Sequence, residues 1–89
     1  MKTFSFEPDP MVCSRKITGT IDGNRIESIR FLGGCPGNLI GISRLVKGKT
    51  IEETIELLKG IRCGAKPTSC PDQLAKALQK YLEKNQQTT

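Results

Sequence analysis

Eighty-nine residues carry 14 Lys and Arg against 9 Asp and Glu, a formal net charge of +5, with four cysteines and no histidine. A chain this short makes one domain whose burial on folding is marginal, so a crosslink or a metal would add useful stability. The missing histidine excludes His-dependent triads, the usual neutral-pH base and every mixed Cys/His metal site, and no apolar run is long enough to span a bilayer.

Thr3-Phe-Ser-Phe6 alternates polar and apolar residues as a half-buried strand does, and Pro8 and Pro10 stop it. From Val12 a second strand runs to Ile21. Cys13, Ile17 and Ile21 share parity there and would point to one face. Asp22-Gly23-Asn24 then separates this run from a third at 25 to 32, which is a hairpin signal because glycine accepts the positive φ of a tight turn. The third strand returns to the end where Cys13 lies and carries Gly33-Gly34-Cys35, so the first two cysteines are expected to be neighbours.

Gly33, Gly34 and Gly37 let the backbone turn sharply around Cys35, and Asn38 is placed to cap the helix that follows. Leu39, Ile42, Leu45 and Val46 recur at helical spacing, and Gly48 closes the run. Thr50 and Glu53 have the spacing of a capping box and open a second helix with Ile51, Ile55 and Leu58 on one stripe, closed by Gly60. Ser69 and Asp72 repeat that arrangement, Pro71 suits a first turn, and Leu74, Ala77, Leu78, Tyr81 and Leu82 form the inward face of a third helix. Strands first and helices second give an α+β fold, a small antiparallel sheet of about three strands with three helices packed on one face. Residues 1–84 are expected to form the domain and 85–89 a flexible tail.

The cysteines stand at positions 13, 35, 63 and 70, without the Cys-x2-Cys pattern of a zinc knuckle. Residues 1–10 lack the apolar stretch of a signal peptide, so the expected location is the cytoplasm, where thiols stay reduced. Three readings then stand side by side: buried apolar cysteines, disulfides with three alternative pairings, or a metal site using at least three sulfurs. The last is favoured, because each cysteine sits at an element boundary or in a Gly/Pro loop. Cys70 also falls in the first turn of a helix, where free backbone N–H groups suit an anionic ligand. Cys13, Cys35, Cys63 and Cys70 are the candidate ligands, and a set of soft sulfurs without histidine suits zinc, or alternatively an iron-sulfur cluster.

Other features carry less chemistry. Lys76, Lys80 and Lys84 form an i, i+4 stripe, most simply a solvated face and alternatively a docking surface for an acidic partner. The glycines around Cys35 form neither a P-loop nor a dinucleotide fingerprint, and Glu52 and Glu53 point to different sides of their helix. With no long basic block and four aromatic residues, nucleic-acid binding is not indicated.

Thr68-Ser-Cys-Pro-Asp72, preceded by Gly60-Ile-Arg-Cys-Gly64, by Gly33-Gly-Cys-Pro-Gly-Asn38 and by Leu45-Val-Lys-Gly48, resembles the TSCPD domain family in its short four-cysteine form. The resemblance covers roughly residues 11 to 83. Related domains occur at the C-terminal ends of adenosylcobalamin-dependent ribonucleotide reductases, so the resemblance implies an accessory or docking module for such a reductase. It does not imply a reductase, since 89 residues cannot hold the catalytic barrel and radical machinery. A more distant similarity, through Cys13, Gly34-Cys35, the segment 45 to 53 and Cys70, joins the chain to NifU-type iron-sulfur scaffold domains. That similarity implies an α+β fold and three cysteines holding zinc or a nascent cluster. Arg15 stands where that family has an aspartate, Ser69 where it has a histidine, and Cys63 adds a fourth sulfur. A closed four-sulfur shell favours a retained metal over a cluster that is released. Two other roles stay open: a redox dithiol, with Cys63 and Cys70 the expected pair, and a cluster scaffold or carrier.

Overall fold

The computed structural model describes residues 1–12, 14–34, 36–62 and 64–87. Three strands, β1 (Lys2–Phe6), β2 (Ser14–Asp22) and β3 (Arg25–Gly33), precede three helices, α1 (Pro36–Val46), α2 (Ile51–Leu58) and α3 (Cys70–Gln87). The strands form one antiparallel sheet in the order β1-β2-β3, which confirms the expected α+β architecture. No helix among the described residues is long and apolar enough to cross a membrane.

The β2–β3 turn follows the sequence. Asp22 pairs with Arg25, leaving Gly23 and Asn24 as the two-residue loop, and Gly23 takes a φ of 62° while Asn24 stays at negative φ. Glycine first and an ordinary residue second is the pattern of a type II′ hairpin, whose twist matches that of the strands.

Two bulges reshape the expected alternation. Ser14 pairs with Gly33 and Lys16 with Leu32, so Arg15 is an extra residue on β2. Two residues opposing one shift the side-chain phase by one position. Arg15 and Lys16 are therefore both exposed, and Ser14, not Arg15, shares the buried face of Ile17, Gly19 and Ile21. The bulge breaks the strict alternation between Ser14 and Ile17, and Cys13, which the parity argument placed on the face of Ile17 and Ile21, lies outside the described residues. On β3 the extra residue is Glu27, which explains why Ile26 and Ile29, three apart, are both buried.

The inward face of the sheet meets the helices in one core. Ile17 and Ile21 of β2 and Ile26 and Ile29 of β3 pack with Val46, Ile51, Ile55, Leu74, Ala75 and Leu78, with Phe4, Phe6 and Tyr81 at its margin. Each large aliphatic side chain so buried stabilises the fold by roughly 1.5–3 kcal/mol. A short cross-connection fixes the start of α2 against the hairpin: the Ile26 amide donates to the Lys49 carbonyl and the Ile51 amide to that of Asn24.

The helix signals fare unevenly. Thr50 caps α2, its hydroxyl accepting from the Glu53 amide at 3.1 Å. Helix α1, however, begins at Pro36, so Asn38 lies inside its first turn and is not its cap. Proline tolerates a first helical position because the N–H it lacks would have no helical acceptor there. Leu39 and Val46 are buried as their spacing requires, whereas Leu45 is 73% exposed. Helix α3 buries Leu74, Ala77 and Leu78 and continues through Gln87.

Candidate functional site

Helix α3 begins at Cys70, and its first turn is tied to Ser14, to the Asp9 turn and to the Gly60–Ile61 segment. Cys70 is half-buried. The Ser14 hydroxyl lies 3.4 Å from its sulfur, in donor geometry, across 56 residues of chain. Ser14 reaches that position because the Arg15 bulge turns it inward, and it simultaneously pairs with Gly33 on β3. Gly33 and Gly34 take φ values of 80° and 84°, a left-handed turn that residues with a Cβ rarely adopt, immediately before Cys35.

The segment leading to Cys13 is held from the other side. Asp9 organises a turn, its carboxylate accepting from the Met11 amide and its carbonyl from the Val12 amide. The Asp9 amide donates in turn to the side-chain carbonyl of Gln73, one turn into α3, at 3.1 Å.

The segment leading to Cys63 is fixed by the residues around Cys70. Asp72 Oδ1 accepts from the Gly60 amide at 2.7 Å, and Oδ2 accepts from the Thr68 hydroxyl. The Ser69 hydroxyl donates to the Ile61 carbonyl at 2.6 Å and accepts from the Asp72 amide at 3.2 Å, so it caps α3 and clamps the incoming loop together. Gln73 completes the set by donating to Thr68 Oγ1 at 2.9 Å. Thr68, Ser69, Asp72 and Gln73 are all buried, and each is hydrogen-bonded. In the run Thr68 to Asp72, three polar side chains thus build the scaffold, while the sulfur of Cys70 meets Ser14.

The capping box read from Ser69 and Asp72 is half correct. Ser69 caps the helix, but the Asp72 carboxylate turns to Gly60 and Thr68. Burial pushes the Asp72 carboxyl up, and the hydrogen bonds from Thr68 and Gly60, with Lys76 at 3.7 Å, outweigh it and hold it below its ordinary value.

Cys13, Cys35 and Cys63 lie outside the described residues, and the contacts above concern only the residues that flank them. Among the described residues no three His, Cys, Asp or Glu side chains converge. Ser14 and Gln73 gave no periodic signal in the sequence, and their one mark was closeness to a cysteine, whereas Thr68 already stood in the motif that carried the resemblance.

No curated protein and no solved structure matches the chain. The sequence profile of the TSCPD domain matches residues 2–82, reaching β1, which lies before the segment that carried the resemblance. A match over nearly the whole chain, with the Thr68 to Asp72 motif forming the first turn of α3 and its anchors, identifies the protein as a member of the TSCPD domain family.

Proposed function

We propose that this TSCPD domain is a metal-binding docking module that holds one zinc ion through Cys13, Cys35, Cys63 and Cys70 and serves as an accessory to a ribonucleotide reductase. The observation that carries the metal reading is the placement of Ser14, which pairs with Gly33 beside Cys35, follows Cys13 in the chain, and contacts the sulfur of Cys70. The fourth flank supports it, because Ser69 and Asp72 anchor Ile61 and Gly60 next to the segment carrying Cys63. A sulfur-only donor set beside a helix N-terminus suits zinc, which is stable as a closed four-thiolate site. The reductase connection rests on family membership. A reducing cytoplasm is the compartment in which such a site would persist.

Native mass spectrometry of the purified protein, before and after acid, tests the metal. One zinc per chain, released by acid, is the expected result. A brown protein carrying iron and sulfide would point to a cluster scaffold, and apo protein that loses two hydrogens on oxidation would point to a redox dithiol. Co-elution of the zinc-loaded protein with an adenosylcobalamin-dependent ribonucleotide reductase in size-exclusion chromatography tests the partner, and separate elution at micromolar concentrations would refute it.

A further inference from the structure

The lysine stripe of α3 serves a second place on the molecule. Lys76 is drawn toward Asp72, but Lys80 and Lys84 stand over a groove of about 530 Å³ between α3 and β1. Phe4, Phe6 and Tyr81 line it together with Lys2 and the two α3 lysines, with no acidic side chain in the lining.

The groove runs beside a strand with an open side. β1 is hydrogen-bonded to β2 along one edge, and among the described residues no strand pairs with its other edge. Such an edge is a template for a further strand, and short length and lysines are the usual protection against unwanted pairing. That protection is selective. A second copy of this chain would bring its own lysines into the groove and be repelled, whereas a segment bearing carboxylates would be attracted.

The aromatic lining argues against single-stranded nucleic acid. Phe4 and Tyr81 pack against each other, ring centroids 5.9 Å apart at 56°, and the Lys80 ammonium sits 5.8 Å over the Phe6 ring. These ring faces are engaged within the protein, and base stacking needs free ones.

We propose that an acidic extended segment of a partner protein binds this groove as a fourth strand on β1, its carboxylates over Lys80 and Lys84. β1 spans five residues, so the added strand would be roughly 17 Å long. Main-chain hydrogen bonds would supply affinity, and the lysines would supply selectivity.

The test is an NMR titration of the ¹⁵N-labelled full chain with a synthetic peptide of about seven residues alternating glutamate and valine. Expected are amide shifts confined to β1 and to residues 77–84. Affinity should fall at least about tenfold in the exposed double variant Lys80→Glu/Lys84→Glu, whose spectrum reports its fold, and be lost when alternate peptide nitrogens are methylated. No shifts at millimolar peptide, shifts indifferent to methylation, or tighter binding of oligothymidine at the same amides would each overturn the proposal. None of these readouts depends on the cysteines, so the metal reading stands or falls separately.

Discussion

The Asp72 carboxylate accepts the Gly60 amide at 2.7 Å and thereby ties the first turn of α3 to the exit of α2, twelve residues earlier. The same carboxylate takes the Thr68 hydroxyl. Asp72→Ala leaves both donors without their acceptor in a site only 6% exposed, and is expected to destabilise the fold by about 1–3 kcal/mol. Urea unfolding monitored by circular dichroism measures this, and an unchanged midpoint would show that the clamp is not structural.

The same residue predicts a pH dependence. Its folded-state pKa lies below the ordinary aspartate value of 3.8, so the folded protein favours the ionised form. The associated stability is fully present above that ordinary value and is lost as pH falls through the folded one. Wild-type protein should therefore lose stability over that acid range more steeply than Asp72→Asn, which cannot titrate. Parallel acid-side profiles would contradict the assignment.

The fold was legible wherever a local rule decided the outcome. Asp22-Gly23-Asn24 marked the hairpin, Thr50 with Glu53 marked the start of α2, and the stripe through Leu74 and Leu78 marked the buried face of α3. Features set by distant partners were not legible. The bulge at Arg15 has no glycine to announce it, yet it decides that Ser14 faces the core. The carboxylate of Asp72 had a local assignment in the capping box, and a partner twelve residues upstream displaced it. At the candidate site, the sequence supplied the cysteines and the structure supplied the hydroxyls and amides that gather their flanks.

Gly19 has a packing role that composition hides. A Cβ there would lie 2.5 Å from the Phe4 ring and 2.8 Å from Ile29 Cδ1, both cross-strand neighbours. Gly19→Ala should overpack this layer and destabilise by about 1–3 kcal/mol. Adding Phe4→Leu should make the pair markedly less destabilised than the sum of the single changes, since the two residues touch. Additive thermal shifts would sink the explanation.

Thr50→Ala removes the cap of α2, where the hydroxyl accepts the Glu53 amide. A loss of about 1 kcal/mol is expected in equilibrium unfolding, with Thr50→Ser retaining most of the wild-type stability. Equal losses in the two variants would mean that the methyl group, not the hydrogen bond, matters.

Ser14→Ala deletes the hydroxyl beside Cys70 Sγ while leaving the strand intact. Under the zinc reading it removes a hydrogen bond to a metal-bound sulfur and should weaken zinc binding by about tenfold in competition with a chromophoric chelator. Undiminished affinity would place Ser14 outside the ligand shell's support.

X-ray absorption at the zinc edge of the purified, zinc-loaded protein measures the ligand set itself. Cys13, Cys35, Cys63 and Cys70 together predict four sulfur neighbours at about 2.3 Å, and Cys70→Ser should lower the sulfur count by one. A shell dominated by oxygen or nitrogen at about 2.0 Å, or a sulfur count that Cys70→Ser leaves unchanged, would contradict it.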